Sequence, residues 1–225
     1  MKLGVLLPTF RDTVEDSLRV AQRCEEFGID GVFAYDHLWP MGSPTRPSFA
    51  PFPVLAAVAA RHPSLHVGPL VARVGMVGPV HLIEQFRSLA ALAPGRVIAA
   101  LGTGDVKSRD ELVGYGLKVT SADQRRSELE LVARALRDEM MVWIGAGAEA
   151  TNALARQLEV VLNVWNVDTD QIATLATQGP VTWAGTLRGN LDGLLDELRF
   201  AGAKWAVFAP GVDEAALGHW RERSG

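Results

Sequence analysis

A chain of 225 residues, 48% of them hydrophobic, can bury a sizeable core. Its net charge of −4 excludes the basic surface that nucleic acid or an anionic membrane would require. A single cysteine, Cys24, excludes an intrachain disulfide and a cysteine-clustered metal site.

The start, Met1-Lys2-Leu3, runs straight into an apolar strand pattern without the charged start and long apolar core of a signal peptide. No apolar run approaches the length that crosses a bilayer. The expectation is therefore a soluble cytoplasmic protein. No Gly-, Ser- or charge-rich run divides the chain, so 1–225 reads as a single domain.

Strand and helix patterns alternate along the chain. Lys2–Leu7 is a short apolar run, and Asp12–Phe27 has helical spacing, with Val14, Leu18, Ala21 and Cys24 on one face. Asp12 is placed to cap that helix, with Glu15 three positions on. Cys24, on the apolar face, reads as a buried structural thiol. Gly31–Tyr35 is the second strand, Pro40–Pro51 a loop, and Phe52–Arg61 a short helix. His66–Val71 is the third strand. Pro79 suits a first helical turn, and Val80, Ile83, Phe86 and Ala90 make a face behind it.

Arg96–Leu101 is a buried strand, and Gly102–Thr120 reads as a long loop. Ser121-Ala-Asp-Gln124 resembles a capping box, opening a helix that carries Leu129, Val132 and Leu136. Met141–Ile144 is then strand and Glu149–Gln157 helix. Val160–Val164 is strand, and Asp168 caps a helix to Gln178. Val181–Ala184 is strand, followed by a helix lined by Leu191, Leu194, Leu195 and Leu198. Trp205–Phe208 is the last strand and Asp213–Arg223 the last helix.

That is roughly eight strand–helix units, the number that a closed barrel of parallel strands requires. The strands are apolar and unalternating, as parallel strands covered on both faces should be. A doubly wound open sheet would carry a glycine-rich phosphate loop after its first strand. This chain has Pro8-Thr-Phe-Arg11 there. The reading is a compact α/β fold, a (β/α)8 TIM barrel.

Active sites of such barrels lie at the C-terminal ends of the strands. Asp36, His37 and Trp39 directly follow the second strand, so they belong at the mouth. Gly102-Thr-Gly-Asp105, Gly145-Ala-Gly-Ala148, Trp165-Asn166 and Gly185-Thr186 fall at equivalent points. Each also has a structural reading. Asp36 could cap the next helix or pair with Arg46, and His37 could be a satisfied rim histidine. Gly102–Gly104 could be only a tight turn, or a backbone bare enough for a flat ligand. The amides near Gly145–Ala148 could hold a phosphate. Trp143, Trp183 and Trp205 read as barrel packing, and Arg125 and Arg126 as a solvated helix face. Only His37 of the five histidines sits at the rim and no HxH occurs, so no metal site is expected.

The run Leu65–Val71, and Pro79 onward through "PGRVIAALGTG" to Gly104, resembles the luciferase-like monooxygenase superfamily. "YDHLW", "MVWIGAG" and "VTWAGT…LLDELRFAGAKWAVFAPG" are similar to its strand-two, strand-five and strand-seven-to-eight regions. The resemblance implies a TIM barrel binding FMN or the deazaflavin coenzyme F420, and the Asp-His pair is most similar to the F420-dependent oxidoreductase branch. It implies that Asp36 bonds the ring, that His37 donates a proton or stabilises an anion, and that Trp39 walls the substrate side. Asp105 falls where relatives carry an acid–base glutamate. Leu70 and Val71 match a pair that forms a non-proline cis peptide behind the ring. Thr103 and Gly104 match cofactor contacts, and Gly145, Ala146 and Gly147 match the phosphate side. The superfamily's insertion after the seventh strand is missing, since Ala184-Gly-Thr-Leu-Arg-Gly-Asn190 runs almost directly into a helix. The implied rivals are an FMN-dependent monooxygenase and a non-catalytic flavin- or deazaflavin-binding protein. A homodimer is expected through Leu82, Phe86 and Leu89.

Overall fold

The computed structural model describes residues 1–40, 42–104 and 108–224. Its strands are β1 (Lys2–Leu6), β2 (Gly31–Ala34), β3 (His66–Pro69), β4 (Ala72–Arg73), β5 (Ile98–Gly102), β6 (Met141–Gly145), β7 (Val161–Trp165), β8 (Val181–Gly185) and β9 (Trp205–Phe208). Between and after them run α1 (Glu15–Glu26), α2 (Pro51–Arg61), α3 (Pro79–Leu92), α4 (Arg109–Gly114), α5 (Ala122–Leu136), α6 (Glu149–Gln157), α7 (Thr169–Ala176), α8 (Leu191–Phe200) and α9 (Glu214–Ser224). All strand pairs are parallel, in the order β3-β2-β1-β9-β8-β7-β6-β5-β4. β3 and β4 share one strand position, interrupted by a cis Leu70–Val71 peptide. A bridge from Val67 to Val97 joins β3 to the start of the β5 segment and closes the ring. The sheet is the expected eight-position TIM barrel. Among the described residues no helix is long and apolar enough to cross a membrane.

Two apolar layers hold the barrel. Inside, Leu6, Phe33, Leu70, Ile98, Ala100, Trp143, Trp205 and Val207 fill the floor. Phe33 lies 5.3 Å from Trp143 and 5.8 Å from Trp205 between ring centroids. Two strand glycines make room for these rings. A Cβ on Gly4 would fall 2.7 Å from Phe33 Cε2, and one on Gly31 would fall 3.3 Å from Trp205 Cη2. Trp143 and Trp205 are thus barrel packing, as expected. Trp183 packs in the outer layer instead, its indole donating to the Val167 carbonyl at 3.0 Å.

The helices close the outer layer with their apolar faces. Cys24 is fully buried there, and burial pushes its thiol well up. Ser121 and Asp168 cap α5 and α7, accepting from the Gln124 and Gln171 amides at 3.1 and 2.8 Å. Asp12 does not cap α1, which begins at Glu15 after a residue already in helical conformation, Val14. The stretch 102–120 is not loop throughout, because α4 forms within it.

The face of α3 differs from the expected one. Leu82, Ile83, Phe86 and Leu89 are buried, whereas Val80 is 71% exposed. Packing along both α2 and α5 turns the helix so that Leu82 and Leu89 enter the core. Leu82, Phe86 and Leu89 therefore belong to the chain's own core and cannot form the dimer surface expected of them.

Candidate active site at the barrel mouth

The C-terminal end of β2 delivers Asp36 and His37 to the mouth. Asp36 Oδ2 accepts the Arg73 backbone amide at 2.8 Å, tying the end of β2 to β4 across the broken strand. It neither caps a helix nor pairs with Arg46, whose guanidinium reaches the Phe10 carbonyl instead. Burial pushes the Asp36 carboxyl up, against the opposing pull of the Arg73 amide and guanidinium. Its Oδ1 accepts from none of the described residues, so it is the oxygen left for a ligand.

His37 Nδ1 lies 3.0 Å from Glu111 Oε2, and its carbonyl accepts the Ser48 hydroxyl at 2.6 Å. Glu111 stands on α4 with its side chain only 3% exposed. Arg73 grips it with both terminal nitrogens, Nη1 to Oε2 at 3.0 Å and Nη2 to Oε1 at 2.8 Å. The Leu38 amide also donates to Glu111 Oε1. Burial pushes Glu111 up, but the bonds from His37, Arg73 and Leu38 overcome this and bring it down to about 2. It is therefore a carboxylate at neutral pH, balanced by a buried guanidinium.

Trp39 also engages α4. A Cβ on Gly114 would lie 2.4 Å from its Cη2, and its ring centroid is 5.2 Å from that of Tyr115. The Tyr115 hydroxyl donates to the Leu38 carbonyl at 3.3 Å. Trp39 thus fastens α4 to the end of β2.

A flat platform adjoins this network. Val71, at the cis junction, would touch a Cβ on Gly102 at 2.4 Å and one on Gly145 at 3.3 Å. The missing side chains bring three strand ends together without crowding. Leu70 is buried behind them and Val71 part-exposed. Thr103 and Gly104 follow at the same level, and Gly104 takes a positive φ of 67°. Asp105 lies outside the described residues. Tyr35 extends the apolar rim, stacked on Phe10 at 5.1 Å and edge-on to Trp165 at 6.5 Å, with burial raising its hydroxyl to about 12.

Beyond β6, Gly145, Ala146 and Gly147 precede α6, whose N-cap residue Ala148 provides no side-chain cap. Part of that cradle is already in use. The Ala146 amide donates to the Asn163 carbonyl at 2.7 Å, and the Gly147 amide to Asn152 Oδ1 at 3.1 Å. What remains for an anion is the uncapped first turn of α6. After β7, Asn166 takes a φ of 54° and its Oδ1 accepts the Thr186 amide at 2.9 Å, bracing the short loop after β8.

Arg73 and Glu111 escaped the sequence reading. Glu111 lay in a presumed loop, with nothing to connect it to a histidine 74 positions away. The one available signal was an arginine inside the apolar run Leu70-Val-Ala-Arg-Val74. A charge there requires a buried partner.

This architecture defines a parallel barrel with an acid–imidazole pair beside a glycine-lined platform. The model of the family described as luciferase-like monooxygenase matches residues 1–157. The chain belongs to that family. Among curated proteins it is similar to an F420-dependent hydroxymycolic acid dehydrogenase of Mycobacterium tuberculosis, 33% identical over 104 residues. That match spans 46% of this chain and 29% of the relative, well under half of the relative's length. Among solved structures it resembles an F420-dependent secondary alcohol dehydrogenase in complex with an F420-acetone adduct. The TM-score is 0.80 at 13% identity, covering 97% of each chain. It also resembles a coenzyme F420-dependent tetrahydromethanopterin reductase from Methanopyrus kandleri, with a TM-score of 0.72 at 11% identity, covering 97% of this chain and 96% of that one. At such identities these likenesses define the fold.

Proposed function

We propose that the chain is an F420-dependent oxidoreductase acting on a small organic substrate. The observation that carries this reading is the Asp36–His37 pair held beside the Val71–Gly102–Gly145 platform. The names of the curated relatives and of two structural neighbours support the same cofactor. The site suits a flat, anionic ligand. The platform has room where two Cβ atoms would collide with or press on Val71; among the described residues nothing donates to Asp36 Oδ1 or accepts from the Glu149 and Ala150 amides that open α6.

The deazaflavin, when bound, supplies the hydride chemistry. Asp36 would hydrogen-bond the ring, and Val71 would support it. Thr103 and Gly104 would border it, and the first-turn amides of α6 would face its phosphate. His37 handles the proton that accompanies hydride transfer. Phe10, Tyr35 and Trp165 keep the rim apolar and limit water. In this reading the enzyme works as a homodimer.

Titration with F420 and with FMN, followed by fluorescence quenching, tests the cofactor. F420 should bind at micromolar concentration and FMN more weakly; tight FMN binding without F420 binding overturns the assignment. His37→Ala should then keep fold and cofactor affinity while turnover falls by about 10²–10⁴-fold. Unchanged turnover would return His37 to the rim.

A further inference from the structure

Glu111 occupies an unusual position for a residue outside the strand ends. One carboxylate serves three groups on two strand ends: the His37 ring and Leu38 amide after β2, and the Arg73 guanidinium of β4. An ionised carboxylate can only accept hydrogen bonds. The 3.0 Å contact therefore requires the proton on His37 Nδ1. In the neutral ring Nε2 is then the bare nitrogen; it has no partner among the described residues, and the side chain remains 22% exposed at the mouth.

We propose that Glu111, clamped by Arg73, is a positioning residue that fixes His37 as the Nδ1–H tautomer and so presents Nε2 as the proton acceptor. This rests on the reading of His37 as the group that handles the proton. A neutral imidazole of this tautomer takes up a proton at Nε2, and the resulting positive charge lies against the Glu111 carboxylate. In the reverse direction the same Nε2–H returns it. Arg73 contributes indirectly. By binding both carboxylate oxygens it sets the plane in which Oε2 meets Nδ1. Without such a clamp an exposed histidine exchanges between tautomers, and part of the population presents an N–H where an acceptor is needed.

Long-range ¹⁵N–¹H correlation spectra of the ligand-free protein test this directly. With the pH raised until the His37 ring is neutral, wild type should show a protonated Nδ1 and an unprotonated Nε2. In Glu111→Gln the amide oxygen keeps the Leu38 and Arg73 donors on the Oε1 side, which turns the amide N–H toward Nδ1. The His37 population should move to the Nε2–H tautomer. Arg73→Gln/Glu111→Gln, which buries no unpaired charge, should show the same loss and covers the case in which the single variant does not fold. In turnover the variants should lose roughly 10²-fold in kcat, with F420 affinity and KM within about threefold of wild type. An Nε2–H signature in wild type, or unchanged tautomer populations in the variants, overturns the proposal. Failure to bind F420 would sink the functional reading and leave the tautomer result standing.

Discussion

The two halves of the barrel mouth are built differently. On the β2–β4 side, hydrogen bonds link Asp36 to Arg73 and link His37 and Arg73 to Glu111, and α4 closes over them. On the β6–β8 side the strand ends carry Gly145, Ala146 and Gly147, and Trp165 is left 45% exposed. One half is preorganised before any ligand arrives; the other keeps donors and surface in reserve. This division suits the hydride-transfer chemistry proposed for the site. Proton handling demands fixed geometry, whereas holding a long anionic cofactor demands open amides and little side-chain bulk.

The contrast is broken most severely by Glu111→Ala. It leaves the Arg73 guanidinium, 6% exposed, without its carboxylate. Removing one partner of a buried pair costs about 3–5 kcal/mol. Urea denaturation should show a loss of that size; a loss below about 1 kcal/mol would mean that the pair is solvated in solution.

Acid should erode the same half next. Glu111 has its carboxyl lowered from 4.5 to about 2, so its stabilising contribution is whole above pH 4.5 and lost as pH falls toward 2. That shift corresponds to about 3 kcal/mol, of which about 2 kcal/mol should go between pH 6 and pH 3. Asp36 titrates in the opposite sense, because burial raises its carboxyl and protonation relieves it. Comparing wild type with Glu111→Gln isolates Glu111, and the stability gap between them should narrow over that interval. A gap constant with pH would contradict the assignment.

The platform joining the halves should respond less. In Gly102→Ala the new Cβ would stand 2.4 Å from Val71 Cγ2 in a buried strand end, so Val71 must move. Overpacking of this kind costs about 1–3 kcal/mol. Cofactor affinity should fall more steeply than thermal stability, because Val71 is the displaced residue. Wild-type affinity in this variant would remove the platform from the binding site.

The open half should be the most tolerant. Asn152→Ala frees the Gly147 amide from an exposed hydrogen bond and should alter stability by no more than about 1 kcal/mol. If that amide serves the cofactor's phosphate, affinity for F420 should rise or hold. A loss of more than about 1 kcal/mol in stability would show that Asn152 is structural and that this half is less open than its geometry implies.

The amino-acid sequence by itself determined the periodic parts of this protein. Short apolar strands alternating with amphipathic helices specify a parallel barrel, because both faces of each strand must be covered. Ser121 and Asp168 announce helix starts through local hydrogen bonds, and strand ends place Asp36, His37 and Gly145–Gly147 at the mouth. Local spacing carries all of this. Only the tertiary structure decided the rest. It rotated α3 so that Leu82 and Leu89 enter the core, and it moved Trp39 onto Gly114. It also folded α4 out of an apparent loop and brought Glu111 to His37 and Arg73. Those contacts join residues 38 and 74 positions apart. A buried charge requires a partner, but its identity depends on which chain segments the closed barrel brings together, and no local pattern encodes that.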